Sequence, residues 1–488
     1  MSVSDKNRHS LAFLFEVRIG LPFCGIGPID KRSFRVGTKD TEVLKTNLAS
    51  GLIDRPPGDL KPWPRNPRTH NDKQLAKLKS SIQKFGFTAP VLVDEEGTIL
   101  SGHGRVQAAI ALELPTIPTR VIGGLSEAKK RAYVIADNKL AQLAGWDDTL
   151  LKDELELLNA ENFDIETTGF STAEIDILFD GAEEPSGSDP DDLQPDDIAA
   201  VDVSRVGDLW LLGNHYLLCG DALNPDSYQK IMQGALAEMV ISEPPYNVPI
   251  NGHVCGSGKI HHNEFKMASV EMTSGEFTAF LNTAFSNTHA FSQEGAVHYY
   301  FIDWRRSMEI QKAAQPLFGL PLQLCVWVKD NGGMGSFYRN QHELVFVFKK
   351  GAASHINNFE LGQHGRCRTN VWAYAGVNTF KAKGYELLAL HPTVKPVSLI
   401  ADALRDCSHR QGIILDSFAG SGTILIAAER TRRQARAIEL DPQYVDVGVM
   451  RWQRVTGKQA VLEATGQNWD QVRASRLSGV DVESGHGL

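Results

Sequence analysis

The sequence contains few cysteines, and they form none of the patterns that hold metals or disulfide frameworks. Its 488 residues include six cysteines, scattered and without a C-x-x-C pair. This spacing disfavours a zinc site or a disulfide framework and fits a reducing cytoplasm. Long apolar runs are also missing, since none approaches the roughly 20 residues of a membrane span. The apolar run Leu11–Phe15 is cut short by Glu16 and Arg18, so we expect a cytoplasmic protein with no signal peptide and no membrane contact.

Positive charge is missing from one segment, and this explains the acidic balance of the chain. The formal net charge is −9, which at first argues against a nucleic-acid partner. Residues 180–202 contain nine acidic side chains and neither Lys nor Arg, and they account for the whole excess. Such a stretch, rich in Pro, Gly, Ser and Asp, cannot bury a core, so we interpret residues 181–203 as a flexible acidic linker. The rest of the chain is neutral with local basic clusters, and DNA remains a candidate partner.

The length predicts more than one domain, because a single core rarely serves so long a chain. Residues 1–50 show no sustained periodicity and are interpreted as an N-terminal extension of uncertain order, with a small β element as the alternative. Residues 51–180 alternate short strands and helices, as in a small α+β domain. Residues 204–470 read as an α/β domain, with residues 471–488 as a C-terminal tail.

Local signals predict hairpins and helix caps within these two domains. The turns Glu96-Gly97 and Gly213-Asn214 each predict a β-hairpin. Asn71 or Asp72 can cap a helix over residues 73–85, and Asp221 can cap a helix over residues 225–234.

The first chemical motif is a strand, a glycine-bearing turn, a helix and a second strand within residues 412–441. The apolar strand Ile413–Leu415 leads to Asp416, the turn contains Gly420 and Gly422, and the second strand ends at Glu439. A carboxylate about 20 residues past such glycines can accept hydrogen bonds from both ribose hydroxyls of a cofactor. A dinucleotide is disfavoured, because Leu425 stands where the third glycine would be. Ordinary α/β packing is the alternative, but Asp416 could pair with a cationic amino group of the cofactor.

The second motif, Glu243-Pro244-Pro245-Tyr246, follows a strand end. Consecutive prolines fix the backbone and withhold two amide donors, which leaves the carbonyls there pointing outward. A carboxylate, exposed carbonyls and an aromatic ring in one rigid turn can accept hydrogen bonds from an exocyclic amine while stacking on its base.

With these two motifs the chain resembles the amino-group DNA methyltransferases that use S-adenosylmethionine. Asp416 to Gly422 is similar to their cofactor turn, and Glu243 to Tyr246 to their catalytic turn, usually written Asp-Pro-Pro-Tyr. The catalytic turn comes first, as in the β order of that family, and the resemblance covers Val206 to about Gly457. It implies a Rossmann-like domain with a mixed, mostly parallel sheet. The residues it places at the cofactor are Asp221, Asp416, Phe418, Gly420, Ser421, Gly422, Thr423, Glu439, Thr393 and Lys395.

The first domain resembles the N-terminal domain of ParB-like partition proteins. The residues that carry this resemblance are Asn66-Pro67-Arg68, Gly86, and Gly102-His103-Gly104-Arg105 before a helix that we predict to start at Val106. In that family the last motif typically reads Gly-Glu-Arg-Arg and binds nucleotide phosphate at a helix N-terminus. His103 replaces the acid here, which puts nucleotide hydrolysis and nuclease action in doubt. Arg105 either contacts phosphate or DNA, or pairs with a neighbouring residue.

Basic loops with aromatic residues lie between the catalytic turn and the cofactor turn. We predict that residues 249–390 hold the target-recognition region. A solvated basic face is the alternative interpretation. The arginines that we assign to DNA, together with Arg105, are Arg305, Arg306, Arg339, Arg366 and Arg368, and the aromatic residues among them are Trp327, Phe337 and Tyr338.

The predicted function is a site-specific DNA methyltransferase that transfers a methyl group from S-adenosylmethionine to the N6 amine of adenine in double-stranded DNA, as in restriction–modification. N4-cytosine methylation and a catalytically weak DNA-binding adaptor are the alternatives. The adaptor is motivated by Glu243, which is one methylene longer than the usual Asp, and by His103. Neither a metal nor a covalent intermediate is required. A nucleotide at the ParB-like domain and a homodimer are compatible with the sequence.

Overall fold

The computed structural model describes residues 51–161, 163–180, 203–247, 272–330, 332, 337–359, 368–376 and 395–478. The predictions for residues 1–50, the acidic linker, Arg366 and Thr393 lie outside the described residues. The chain forms two compact units, Met1–Gly145 and Trp146–Leu488. Among the helices in the described ranges, none combines the length and the apolar character needed to cross a bilayer.

The described part of the first unit is a small α+β fold. Its strands form one sheet in the order β1-β4-β2-β3, and the β2–β3 pair is the hairpin predicted around Gly97. The strands and helices are β1 (Ile53–Arg55), α1 (Asp72–Phe85), β2 (Val91–Val93), β3 (Ile99–Ser101), α2 (His103–Ala111), β4 (Ile117–Val121) and α3 (Glu127–Ala141). Branched apolar residues of β2, β3, α2 and β4 fill the core beneath the sheet.

Two capping residues set the helix starts in this unit. The Asn71 side chain accepts a hydrogen bond from Gln74 N–H at 2.8 Å, which is the cap predicted for α1. The start of α2 was predicted at Val106 and this was wrong, because the helix begins at His103. Gly102 adopts φ 102°, a left-handed conformation that turns the chain directly into the helix.

The second unit opens with two helices and continues into one large sheet. The opening helices are α4 (Asp148–Ala160) and α5 (Thr172–Asp180). The described strands are β5 (Leu209–Leu212), β6 (His215–Cys219), β7 (Ala237–Ser242), β8 (Ser292–Ile302), β9 (Gln323–Val328), β10 (His342–Lys349), β11 (Val371–Ala373), β12 (Ile413–Asp416), β13 (Gln434–Glu439) and β14 (Val461–Leu462). The remaining helices are α6 (Pro225–Met232), α7 (Ser274–Ala290), α8 (Ser307–Phe318), α9 (Val397–Cys407), α10 (Thr423–Thr431), α11 (Pro442–Thr456) and α12 (Trp469–Ser478).

The order of the described strands is β11-β9-β10-β8-β7-β12-β13-β6-β5-β14. The central neighbours β8, β7, β12, β13 and β6 run parallel, while β10 and β5 pair antiparallel with the strands beside them. The predicted mixed sheet and hairpin are therefore confirmed. Because the central strands are parallel, their carboxyl ends lie along one edge, which is where ligands bind in open α/β sheets.

Apolar helix faces cover both sides of this sheet. Residues of α9, α10 and α11 pack with the large buried side chains Trp210, Trp327 and Trp452 on one side. Residues of α6, α7 and α8 pack with Tyr300, Phe346 and Phe348 on the other. Strands buried on both faces explain why the sequence shows continuous apolar runs here rather than alternation.

A buried ion pair attaches α5 to the loops of the sheet. Asp176 accepts from Arg433 Nη2 at 2.8 Å and from Arg410 Nη1 at 2.6 Å, and the side chains of Asp176 and Arg433 are 1% and 0% exposed. Burial alone would raise the pKa of Asp176, but Arg433 and Arg410 hold that pKa below its ordinary value. Asp176 therefore stays ionised and paired at neutral pH.

We expect Asp176→Ala to destabilise the second unit by about 3–5 kcal/mol, because it leaves the buried Arg433 without its carboxylate. Thermal and urea unfolding of the variant measure the loss. Asp153→Ala, which removes an exposed carboxylate from α4, is the matched control and should change stability by less than about 0.5 kcal/mol. Equal stability of the two variants would contradict the structural role of Asp176.

Candidate active site

The catalytic and cofactor turns meet at the ends of two adjacent strands. Strands β7 and β12 pair in parallel, with Met239 opposite Ile414 and Val240 opposite Leu415. Beyond the paired residues, Ser242 Oγ donates to Asp416 Oδ1 at 2.7 Å and accepts from Ser417 N–H at 3.1 Å. The two segments, distant in sequence, therefore meet at neighbouring strand ends.

Two glycines shape the cofactor turn. Gly420 has φ 52° and Gly422 has φ 78°, so both take a left-handed conformation that favours glycine. A Cβ on Gly422 would lie 2.8 Å from the Cα of Gly448, where the turn approaches α11. The turn also brings Gly420 N–H to Glu439 Oε2 at 2.8 Å, which ties the turn to the end of β13.

Two carboxyl groups with raised pKa values lie at this edge, the buried Asp416 and the half-buried Glu439. Burial raises the pKa of Asp416 to about 7, against the lowering effect of the Ser242 hydroxyl and Phe418 N–H. Burial also raises the pKa of Glu439 to about 7, although its carboxylate accepts from the N–H groups of Gly420 and Asp441. A cation or hydroxyl donor that binds here would therefore stabilise the ionised carboxylates.

The other predicted cofactor residues are distributed around the same turn. Ser421 and Thr423 are held by the buried Arg451, whose Nη1 donates to Ser421 O at 2.8 Å and to Thr423 Oγ1 at 3.2 Å. The Phe418 ring lies 6.0 Å from the Phe280 ring, so it faces α7. The arginine was not predicted, because nothing in its local sequence distinguishes it from a surface arginine of α11.

Asp221 follows the end of β6, which pairs in parallel with β13. Its Oδ1 accepts from Leu223 N–H at 2.8 Å. The alternative interpretation of Asp221 as the cap of α6 is wrong, since Asn224 caps that helix through Asp226 N–H at 3.0 Å. Asp221 therefore lies at the same sheet edge as Asp416 and Glu439, as expected for a cofactor contact.

The catalytic turn lies within a compact cluster of opposite charges. The Tyr246 hydroxyl lies 2.7 Å from Glu243 Oε1 and 3.0 Å from Glu343 Oε2. Lys395 Nζ forms an ion pair with Glu243 and lies 3.1 Å from Glu343 Oε2. Lys329 Nζ lies 2.6 Å from the other oxygen of Glu343. Two carboxylates and two ammonium groups thus nearly neutralise one another in a shielded site.

The electrostatics of the cluster distinguish its two carboxyl groups. Burial raises the pKa of Glu243, and the neighbouring Glu343 adds to this effect. Burial also acts on Glu343, but Lys395 and Lys329 outweigh it and lower its pKa to about 2. Burial lowers the pKa of Lys395, yet the two glutamates more than compensate and leave it above its ordinary value. Glu343 is therefore the permanently charged partner, and Glu243 the group whose charge responds to its surroundings.

Glu343 was missed as a site residue by the sequence analysis, and the contacts of Lys395 with the two glutamates were not predicted. Glu343 begins the apolar strand β10, where a lone carboxylate in a run of apolar residues was the available signal. Lys395 was predicted to lie near an anionic group of the cofactor. In the structure its ammonium lies between the two glutamates, 5.4 Å from the Trp327 ring and 5.5 Å from the Phe301 ring.

Two of the arginines predicted to contact DNA have internal partners instead. Arg306 Nη2 donates to Asn247 O at 2.7 Å and so braces the backbone that follows Tyr246. Arg368 donates to Asp406 at 3.1 Å and to the Tyr374 hydroxyl at 2.8 Å. These internal contacts were not predicted, because sequence position alone does not show which carboxylates and carbonyls fold back onto a loop.

The other described arginines that were predicted to contact DNA differ in whether a neighbouring residue contacts them. Arg305 pairs with Asp303 at 2.8 Å on the surface, and Arg105 reaches Pro90 O at 3.4 Å, so a neighbour does contact it. Arg339 is exposed beside Phe337 and Tyr338. Within the described ranges, no group of three or more His, Cys, Asp or Glu side chains could hold a metal ion.

Three family models match separate parts of the chain. They are described as ParB N-terminal domain (residues 47–139), ParB-methyltransferase HTH domain (residues 149–206) and DNA methylase of the N6/N4 type (residues 237–450). The second match covers α4 and α5, which the sequence analysis had included in the first domain. It was missed because neither helix shows a distinctive motif.

Individual relatives agree with these matches. The chain is 45% identical over 80 residues to the ParB-like nuclease domain-containing protein YnaK of Escherichia coli, covering 16% of this chain and 92% of YnaK. It is 32% identical over 87 residues to the type II methyltransferase M.ScaI of Streptomyces caespitosus, covering 18% of this chain but only 29% of M.ScaI. Among solved structures, the M1.HpyAVI–SAM complex aligns at 17% identity and TM-score 0.33, covering 48% of this chain and 96% of that one.

The matched segments contain both turns of the site and the glycine-flanked arginine of the first domain. The catalytic turn at Glu243 and the cofactor turn at Gly420 fall inside the DNA methylase match, and Arg105 falls inside the ParB match. The chain therefore contains an S-adenosylmethionine-dependent DNA methylase domain of the N6/N4 amino-group family over residues 237–450, and a ParB-like N-terminal domain.

Proposed function

We propose that this protein is a site-specific DNA methyltransferase that methylates the N6 amine of adenine in double-stranded DNA. The observation that carries the proposal is the contact of Glu243 with Tyr246 at the end of β7, beside the Asp416 turn of β12. A hydrogen-bond acceptor and a stacking ring are thereby placed at the sheet edge that holds the cofactor turn. This is the arrangement that transfer to an exocyclic amine needs.

The residues of the cofactor turn fit S-adenosylmethionine. Glu439, at the end of the second strand, suits the ribose hydroxyls, and Asp416 suits the cationic amino group. Asp221, at the end of β6, suits the adenine. When bound, the cofactor supplies an electrophilic methyl group on a sulfonium. The chain's own contribution is to hold these contacts in a buried site, where each is stronger than in water.

Glu243 and the carbonyl of Pro244 are proposed to accept hydrogen bonds from the amine. Its nitrogen is a poor nucleophile because the lone pair is delocalised into the base. Acceptors around the amine localise that pair and favour a tetrahedral nitrogen. The Tyr246 ring offers a stacking face for a base rotated out of the duplex.

Lys395 and the Tyr246 hydroxyl both contact Oε1 of Glu243, and release by Lys395 would free this oxygen for the amine. Glu343 makes that release feasible. Lys395 Nζ already lies 3.1 Å from Glu343 Oε2, so it can keep a full ion pair while Glu243 turns to the amine. Lys329, on the other oxygen of Glu343, keeps that carboxylate ionised. We therefore assign Glu343 and Lys329 to positioning rather than to contact with the base.

The alternatives rest on the same geometry. The N4 amine of cytosine presents the same hydrogens to Glu243, so cytosine remains the second candidate base. The ion pair between Glu243 and Lys395, together with the extra methylene of Glu243, favours the second candidate function, a DNA-binding adaptor with weak turnover. A displacement of about 1 Å at a reacting centre can cost on the order of 100-fold in rate.

The segments before the methylase match are proposed to supply DNA affinity. They comprise the ParB-like domain of residues 51–180, as divided from the sequence, including the helix-turn-helix match at α4 and α5. A nucleotide at Gly102–Arg105 is a weaker proposal, because the Arg105 guanidinium already contacts Pro90 O. The recognition region is proposed to lie within residues 249–390.

We expect the protein to transfer labelled methyl groups from S-adenosylmethionine to mixed-sequence duplex DNA, and the label to be recovered in N6-methyladenine. Digestion to nucleosides and chromatography identify the product. Label in N4-methylcytosine would overturn the base assignment, and absence of label would favour the adaptor. Asp416→Asn, tested in parallel, should show less incorporation than the unchanged protein.

We expect Tyr246→Ala to lower kcat by roughly 10–100-fold, since stacking on an aromatic ring contributes about 1–3 kcal/mol per base. Tyr246→Phe keeps the ring but loses the hydroxyl that links Glu243 and Glu343, so its loss should be smaller, about 10-fold. Single-turnover methylation separates the two effects, and circular dichroism checks the fold. Unchanged turnover of Tyr246→Ala would remove the stacking role.

Binding of S-adenosylmethionine should tighten by roughly 10-fold as the pH rises from about 5.5 to about 7. The pKa of Asp416 is about 7, so its carboxyl is mostly neutral at the lower pH and becomes able to pair with a cationic amino group as it ionises. Calorimetric titration at each pH measures the change. Asp416→Asn should bind more weakly and show a flatter pH profile. Binding that weakens over this range would argue against the pairing.

A further inference from the structure

The hairpin formed by β9 and β10 turns at the same sheet edge as the catalytic turn. Strand β10 is antiparallel to β8 and to β9, so β9 runs in the direction of β8 and β7. The carboxyl end of β9 therefore lies on the edge where β7 ends at Ser242 and β12 ends at Asp416. Residues 329–341 connect β9 to β10, and the described residues next to the strands, 329–330 and 337–341, therefore lie on the side of the active site.

Two adjacent aromatic side chains in this connection are almost fully exposed. Phe337 is 88% exposed and Tyr338 is 80% exposed. Their rings contact each other, with centroids 4.4 Å apart and planes at 58°. Exposed aromatic rings leave apolar surface in water that burial would remove, so an adjacent exposed pair indicates a contact made with another molecule. The exposed Arg339 follows them in sequence.

Lys329 and Gln341, at the two ends of this connection, are held close to the catalytic cluster. This limits the distance between the Phe337–Tyr338 pair and the cluster. Lys329 N–H donates to Gln341 O at 2.9 Å and Gln341 Nε2 donates to Lys329 O at 2.8 Å, which extends the hairpin beyond the strands. Glu343, two residues later, contacts the Tyr246 hydroxyl. Tyr338 is five residues from Glu343, and a fully extended chain of that length spans at most about 18 Å.

We propose that Phe337 and Tyr338 form an aromatic wedge that enters the base stack of duplex DNA and occupies the space left by the target base. This inference rests on the proposed function, in which the target base is rotated out of the duplex. Proteins that unstack DNA insert large apolar side chains at the opened step, and aromatic rings stack on bases of any sequence. Arg339 is placed to pair with a phosphate beside the inserted rings. The wedge and the Tyr246 ring would then hold the opened duplex and the displaced base at the same time.

Duplex DNA with an abasic site tests the wedge without knowledge of the recognition sequence, because the abasic site is a preformed gap. We expect the full-length protein to bind such a duplex about 10-fold more tightly than the intact duplex. The double variant Phe337→Ala/Tyr338→Ala should lose this preference. Phe337→Trp/Tyr338→Trp should keep it, since both side chains remain aromatic.

Leu320→Ala is the matched control. Leu320 is 83% exposed and precedes β9 at the opposite edge of the sheet, so its removal deletes a comparable exposed apolar group away from the site. It should leave the preference for the abasic duplex unchanged. All these side chains are exposed, and thermal unfolding should show equal stability for the variants.

The outcomes separate the wedge from the proposed function. Loss of the abasic preference in the alanine variant supports the wedge whether or not the protein methylates DNA. The wedge is overturned, and the proposed function still stands, if the unchanged protein methylates DNA but Phe337→Ala/Tyr338→Ala prefers the abasic duplex as strongly as Leu320→Ala does. A change in oligomeric state of the alanine variant with unaltered DNA binding also overturns it, because the rings would then contact protein.

Discussion

The parallel pairing of β7 with β12, extended by the hydrogen bond from Ser242 to Asp416, is the constraint on which the site depends. Parallel strands leave their carboxyl ends on one edge, so the residues that follow each strand are brought together although about 170 residues separate them in the chain. Ser242 serves both turns, since its hydroxyl donates to Asp416 and accepts from Ser417 N–H. The buried helices on both faces of the sheet hold this edge rigid.

Charge is organised differently on the two sides of that edge. On the cofactor side, the buried Asp416 and the half-buried Glu439 have no cationic side chain among the contacts described for them, and their pKa values rise to about 7. On the catalytic side, Glu243 and Glu343 are paired with Lys395 and Lys329. The first arrangement favours a ligand that brings its own positive charge or hydroxyl donors. The second arrangement favours a neutral amine, because the amine can replace the contact of Lys395 with Glu243 while Lys395 stays paired with Glu343.

Local signals predicted the backbone well. Glycine and proline act within a few residues, so the cofactor turn, the catalytic turn and the hairpins at Gly97 and Gly213 were identified where they occur. Long-range partners were not predicted. Glu343, Arg451 and Asp176 acquire their contacts from residues far away in the chain, and Arg306 and Arg368 were assigned to DNA although internal oxygens bind them. The helix-turn-helix match at α4 and α5 was missed for the same reason, as helices without a motif are distinguished only by what they pack against.

The sequence by itself therefore determined the two turns, their order and the class of cofactor and substrate that they suit. These properties depend on backbone conformations that glycine and proline impose locally. Only the tertiary structure decided the state of the catalytic carboxylate, because Lys395 and Glu343 reach Glu243 from strands and loops that are adjacent in space but not in sequence. It also decided at which edge of the sheet β9 ends, since the direction of β9 follows from its pairing in the sheet and not from its own residues.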